Sequence, residues 1–253
     1  MQHENQFRRV MDNIRDTGSC TNASNTKDYY IEMAKAFAAL SYQGVYIVDL
    51  DTNKFVFSSD YQLLRCGLSE EEMHEKGLEH FSCLIPNDET EILKNIKTVI
   101  TSSYAEIPLE YKKQLIIFLN FHINIEKRSV MICHKLQLID FDEKGEPRYL
   151  IGLVSPSVHR DEPVIMAGIA GTDYAFRYLS ESMSWEPLTL VHLSNDEITM
   201  LRLTMQGYSL EEIGSLMFKS VETIKFYRRQ VFSKLNVNNI SEAIAYATHY
   251  CML

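Results

Sequence analysis

The chain is predicted to be α+β: an antiparallel sheet carrying short helices, followed by a small all-α domain of four helices. Three observations predict this. Strand-like alternation of apolar and polar residues is concentrated between Val45 and Ser155. Helical spacing takes over after Leu193. The charge balance also changes there: from Leu193 onward six Lys/Arg meet six Asp/Glu, so the whole of the net charge of −9 lies upstream.

Residues 1–27 are polar, with a Ser/Thr/Asn-rich stretch from Thr17 to Thr26, and read as a tail with a short helix near Phe7 to Ile14. A helix is expected over 28–42, capped by Asp28, with Ile31, Ala34, Phe37 and Ala38 at helical spacing. Two strands follow, Val45 to Leu50 and Phe55 to Ser58, around the turn Asp51-Thr52-Asn53. Short helical pieces fill 59–76, where Ser69 and Glu72 have capping-box spacing. A further helix is expected from Asp88 to Thr101.

Three longer strands come next, near 113–126, 129–141 and 148–155. In the first, Leu115, Ile117, Leu119, Phe121, Ile123 and Ile125 share a core-facing side, while Asn120, His122 and Asn124 fall on the other. His134 falls on the inward face of the second strand with Val130, Ile132 and Leu136. It reads as a hydrogen-bonded core histidine, with haem or metal ligation as the alternative. The turn Asp142-Glu143-Lys144-Gly145 closes a hairpin into the third strand.

The order of one helix, two strands, several short helices and three strands over 28–156 resembles a PAS domain. So does the wording of "GVYIVDLDTNKFVFSS" and "IPNDETEILKNI", although Ile85 stands where many PAS domains carry histidine. The resemblance implies a sensor domain that binds a small molecule, or that dimerises and transmits a signal. No flavin-attaching motif surrounds Cys66. Residues 161–190 read as a linker holding a small hairpin, with Tyr174, Phe176 and Tyr178 on one face and Trp185 anchoring its end, or as a solvent-exposed loop. Gly168-Ile-Ala-Gly171 lacks the Lys-Ser/Thr of a phosphate loop.

Beyond Leu193 four helices are expected. Ser194 with Glu197 and Ser209 with Glu212 form capping boxes, and Gly207 ends the first helix. Ile198, Leu201 and Met205 line that helix, and Ile213, Leu216 and Met217 line the second. Ser220 caps the third, whose inner stripe is Ile224, Tyr227, Val231 and Leu235. From Lys219 to Lys234 five cations (Lys219, Lys225, Arg228, Arg229, Lys234) face only Glu222. Lys225 and Arg229 are one turn apart and project together, which suits a helix-turn-helix whose third helix enters the major groove.

The segment "LSNDEITMLRLTMQGYSLEEIGSLMFKSVETIKFYRRQVFSKLNVNNISEAI" resembles, without gaps, the LuxR/GerE-type (NarL-like) DNA-binding domain, through Glu197, Gly207, Ile213, Ser220, Thr223, Ile224, Lys225, Lys234 and Leu235 among other positions. The resemblance implies that Lys225, Phe226 and Arg229 reach DNA and that Ser220 and Thr223 touch phosphates. The basic run adds Arg228 and Lys219. It also implies dimerisation through the last helix at Ile240, Ile244 and Ala247, whose apolar stripe equally suits packing within the domain. Tyr227 stands in place of the usual histidine, Ile240 in place of a usual arginine, and Lys219 at a normally apolar position.

The domains expected are therefore 1–27, a tail; 28–160, PAS-like; 161–190, a linker; and 191–253, the LuxR-type helix-turn-helix. The expected function is that of a sequence-specific transcription regulator. Its partners would be double-stranded DNA, a second copy of the chain, an unknown small-molecule ligand in the PAS-like domain, and RNA polymerase. A dimerisation module without ligand is the alternative; an enzyme fused to a DNA-binding tail finds no paired carboxylates or Ser/His/Asp spacing to support it. No cofactor or metal is expected, because the five cysteines form no CxxC pair. No apolar run reaches membrane-spanning length and the N-terminus lacks a secretory pattern, so a cytoplasmic location is expected. A single tryptophan, Trp185, argues against the acyl-homoserine-lactone pocket of some LuxR relatives. The long antiparallel strands argue against a receiver domain.

Overall fold

The computed structural model describes residues 26–87, 89–90, 104, 109–125, 128–141, 146–159, 162–182, 184–250 and 252–253. The helices expected near Phe7 to Ile14 and over Asp88 to Thr101, and the turn Asp142 to Gly145, lie outside the described residues in whole or in large part.

The chain opens with α1 (Thr26–Ser41), β1 (Gly44–Asp49) and β2 (Lys54–Ser58). Short helices α2 (Gln62–Arg65), α3 (Glu70–Lys76), α4 (Glu79–Ser82) and α5 (Leu109–Lys112) precede the long strands β3 (Leu115–Ile125), β4 (Arg128–Phe141) and β5 (Pro147–Pro156). This is the element order expected. Strands β1 to β5 pair antiparallel in the order β2-β1-β5-β4-β3. The capping box at Ser69 and Glu72 is formed, each side chain accepting from the other's backbone amide.

One correction concerns residues 161–190. They hold three strands, β6 (Val164–Ile169), β7 (Ala175–Leu179) and β8 (Ser184–Leu188), where one hairpin was expected. β6 pairs with the free edge of β3, and β7 and β8 continue it, making one eight-stranded sheet. The extension satisfies the backbone groups that an edge strand β3 would leave open. Tyr178 and Trp185 meet edge to face across β7 and β8.

Alternation sorts the sheet into two faces. On one, Tyr46, Val48, Phe55, Ile117, Leu119, Phe121, Ile123, Ile132, Leu136 and Leu150 form the main core with Leu64, Met73 and Phe81 of the short helices. On the other, Val45, Ile47 and Tyr149 receive Ala34 of α1. Phe37, expected on the inner side of α1, is largely exposed. Asn120 was expected on a polar face yet is fully buried: it donates to the Val164 carbonyl at 3.3 Å and accepts from Ser157 Oγ at 2.7 Å, because β6 closes over this part of β3. His122, expected on the face away from the core, is bracketed by Glu89, whose carboxylate lies 2.6 Å from Nδ1 and accepts the backbone amide at 2.7 Å.

His134 is a buried core histidine, as expected. Nδ1 meets the Tyr46 hydroxyl at 2.9 Å, and the ring lies between Phe81 and Phe121. Burial, helped by nearby His80, pushes its pKa down to about 3, so the ring is neutral. The Tyr46 ring rests on Gly152 of the neighbouring strand, where an added Cβ would stand 2.0 Å from Tyr46 Cζ. Gly152→Ala must displace a phenol pinned by His134 and packed on Phe55 and Phe81. The expected cost is about 3 kcal/mol, at the upper end of overpacking, read as a lowered thermal midpoint.

Candidate nucleic-acid interface

Four helices follow the sheet: α6 (Asn195–Met205), α7 (Leu210–Met217), α8 (Val221–Leu235) and α9 (Ile240–His249). Each starts on a side-chain cap. Ser194 and Ser209 make the two expected capping boxes with Glu197 and Glu212. Ser220 accepts from Thr223 N at 3.1 Å, and Asn239 accepts from Glu242 N at 3.0 Å. Gly207, at φ 89°, takes the left-handed conformation just past α6.

Their core is Met200, Leu201, Ile213, Ile224, Val231, Leu235, Ala243 and Ala247. Three expected core positions lie outside it: Met205 and Leu216 are both about half exposed, and Ile198 is only partly buried, while Met200 and Leu203 of the same helix pack in the core instead. The helices are short, so a shift of one residue in the inner stripe moves a side chain from core to surface.

The N-terminus of α8 is presented by Ser220, whose Oγ also lies 2.9 Å from Thr223 Oγ1. With Ile224, Val231 and Leu235 turned inward, Lys225, Phe226 and Arg229 share the exposed arc, as expected. Their states differ. Lys225 Nζ is tied to Glu222 Oε1 at 2.8 Å. Arg229 makes no ion pair among the described residues, although its charge, after that of Lys225, helps hold the Glu222 carboxyl below its usual range. Phe226 is 48% exposed. Arg228 lies at the margin with its guanidinium over Phe232, 5.4 Å from the ring centre. Lys219 is drawn to α6, its Nζ 3.5 Å from Asp196.

Two ties between α6 and α8 escape sequence reasoning. The Tyr227 hydroxyl donates to Asp196 Oδ2 at 2.6 Å, a bond that, with Lys219, holds the Asp196 carboxyl low. Lys234 Nζ donates to the buried Glu197 Oε2 at 2.7 Å. Burial works against the Glu197 charge, but Lys234 and the Ser194 amide outweigh it, and its pKa falls below the usual value. The clue available was the replacement of histidine by Tyr227, a donor able to reach an acid at a helix start. Both bonds fix the angle at which α8 leaves α6.

Of the last-helix positions, Ala247 is fully buried and packs within the domain, while Ile240 and Ile244 are half-buried against the same core. Just past α9, Tyr250 lies against Phe118 of β3, and Tyr246 meets His159 edge to face. The Tyr250 hydroxyl is 2.7 Å from His159 Nε2, and Lys135 Nζ donates to the His249 carbonyl at 2.6 Å. Among the described residues no group of His, Cys, Asp and Glu could hold a metal ion, and no helix is long and apolar enough to cross a membrane.

The family model "Bacterial regulatory proteins, luxR family" matches residues 191–247. The Fimbriae Z protein of Escherichia coli K12 is 34% identical over 71 residues, 28% of this chain and 34% of that protein. Its Salmonella typhimurium counterpart is 39% identical over 61 residues, 24% and 29% of the two. The chain thus spans about a third of the length of these curated relatives. Among solved structures, it is similar to the Vibrio cholerae VqmA dimer in the absence of target DNA (14% identity, 87% of each chain, TM-score 0.35). It is also similar to the N-terminal domain of a Marinobacter aquaeolei diguanylate cyclase with PAS/PAC sensor (13% identity, 45% of this chain and 94% of that one, TM-score 0.35). Over residues 191–247 the chain carries a domain of the luxR family of bacterial regulatory proteins.

Proposed function

We propose that the protein is a sequence-specific transcription regulator, not an enzyme, that binds DNA as a dimer under the control of its N-terminal PAS-like domain. The observation that carries this reading is the capped α8 with Lys225, Phe226 and Arg229 on its open face inside a luxR-family domain. A helix of that width and charge fits the major groove, with Ser220 and Thr223 at its N-terminus disposed toward phosphates. Two such helices on a dimer would meet half-sites one helical turn apart. Because the four-helix segment is neutral overall, affinity is expected to rest on a few contacts and on both subunits rather than on bulk charge.

The test is a gel-shift series on promoter fragments, including the chain's own upstream region, against scrambled DNA across a salt titration. Selective binding supports the reading. Equal binding to both at every salt concentration speaks for a non-specific DNA coat and against regulation.

The sensing role rests on His134. Its Nε2 is buried without a hydrogen-bond partner among the described residues, beside a Tyr46 bond on the other ring nitrogen. An unmet buried donor or acceptor costs about 1–3 kcal/mol, and an uncharged polar small molecule at this place would remove that cost. Native mass spectrometry of the chain purified from its own host is expected to show a mass above 29.3 kDa that is lost on denaturation. A bare mass under these conditions would favour a dimerisation module without ligand.

A further inference from the structure

The far end of α9 is seated on the sheet. Phe118 projects from β3 on the side opposite the main core, and the rings of His249 and Tyr250 lie against it with centres 6.4 and 5.6 Å away. Lys135, its partner on β4, holds Nζ 5.6 Å from the centre of the same ring and donates to the His249 carbonyl at 2.6 Å. A cation from the sheet thus caps the C-terminus of α9. His159, just past β5, puts Nε2 2.7 Å from the Tyr250 hydroxyl and meets Tyr246 edge to face. The stretch 189–194 between β8 and α6 has neither helix nor strand and does not by itself fix how the four-helix domain sits. The contact at the end of α9 supplies that restraint.

Its two histidines are held neutral. His249 Nε2 is buried with no hydrogen-bond partner among the described residues. Burial first, then Lys135 and His159, push the His249 pKa down to about 4. Burial, then Arg177 of β7, lowers that of His159. The charges that act on the two rings, Lys135 and Arg177, are both cations. The other titratable neighbours are neutral: burial raises the phenols of Tyr246 and Tyr250, and pushes the Cys133 thiol up to about 12. A proton added to either ring meets like charge in a poorly solvated place.

We propose that this seat is a proton-operated latch, which when closed holds the four-helix domain in one orientation on the sheet and which opens when His159 and His249 are protonated. Undocked, both histidines return to about 6.5. Docking is therefore strongest above that value and weakens as pH falls toward the docked values. For His249 alone, a pKa that drops from about 6.5 to about 4 makes docking about tenfold weaker at about pH 5.5 than at about pH 7.5. His159 adds to this. The latch goes beyond the DNA-binding reading and stands whether or not the sensor takes a ligand.

The experiment is hydrogen–deuterium exchange of the full chain at about pH 7.5 and about pH 5.5, read as protection factors so that the chemical effect of pH on exchange is divided out. In wild type, residues 246–250 are expected to lose at least about tenfold in protection at the lower pH, while the middle of α8 keeps its own. His159→Gln/His249→Phe, which removes both titrating rings, should hold its protection at both pH values. If that double variant is poorly protected already at about pH 7.5, the single variants decide, and each should lose less than wild type between the two pH values. Phe118→Ala, which takes away the seat, should lower protection of 246–250 at about pH 7.5 to the wild-type acid level or below. Wild-type protection that is equal at both pH values, or a loss that the histidine variants share in full, overturns the proton gate. A Phe118→Ala chain protected like wild type overturns the latch itself. A loss that extends through α8 is unfolding of the whole domain and also counts against the latch.

Discussion

Lys225→Ala/Arg229→Ala is expected to lose at least about 30-fold in affinity for the selected site, because each side chain that reads a base edge contributes about 1–3 kcal/mol. The two halves should not be equal. Arg229 has no ion pair among the described residues and is free to make bidentate contacts, whereas Lys225 must first leave Glu222, 2.8 Å away. Arg229→Ala alone should therefore cost more than Lys225→Ala. For the same reason Glu222→Gln should bind DNA more tightly than wild type, by releasing Lys225 and removing an anion from the approaching face. The plot of log affinity against log salt should flatten by at most about two for the double variant, and by less if both residues read bases rather than phosphates. Gel shifts on selected and scrambled DNA measure all of these. If the double variant binds the selected site within threefold of wild type, the reading face lies elsewhere on the domain.

The exposed arc of α8 was legible in the sequence because its determinants are local. A capping box needs only a serine and a glutamate three residues on, and both boxes of this domain form as spaced, at Ser194 and Ser209. The outward placement of Lys225 and Arg229 follows from one helical turn of separation once Ile224 and Val231 are known to face inward. In the sheet, the alternation of Leu115, Ile117, Leu119, Phe121 and Ile123 identified the buried side of β3. Asn120 and His122 misled, because the burial of the first is made by β6 and Ser157 and the second is held by Glu89, all far away in the chain.

What was not legible depends on pairings between distant segments. The strands β6, β7 and β8 are short, and nothing in their own residues says that the first of them adds to the edge of β3. In α1, Phe37 and Ile31 have the same helical spacing to Ala34, yet Phe37 is exposed. Which arc lies on the sheet is set by Val45, Ile47 and Tyr149 rather than by the helix. Lys219 looked like one more cation for DNA. Its place beside Asp196 and Tyr227 is fixed by the crossing of α6 and α8, a geometry that no short-range spacing reveals.

The crossing itself carries the second large effect. Glu197→Ala is expected to lower the stability of the helix-turn-helix domain by about 2–4 kcal/mol. The carboxylate does two things at once: it accepts the Ser194 amide at 2.7 Å, closing the capping box of α6, and it accepts Lys234 at 2.7 Å from the far end of α8. Loss of both should lower the melting temperature by on the order of 10–20 °C for a domain of this size. Glu197→Gln separates them, since an amide oxygen can still serve the cap while the charge is gone. It should show roughly half the loss. The dependence on pH has a definite sign. Because Lys234 and the Ser194 amide outweigh the desolvation of Glu197, its folded-state pKa lies below the usual carboxylate value. Its contribution is then complete above the unfolded value of about 4.3 and disappears as pH falls through the lower, folded value. Melting curves from neutral to acid pH should show wild type and Glu197→Gln converging only in that acid range. Equal melting temperatures at neutral pH would mean that Glu197 acts through the cap alone and that the angle between α6 and α8 is held by Tyr227 and Asp196. DNA affinity would then respond to Tyr227→Phe rather than to any change at Lys234.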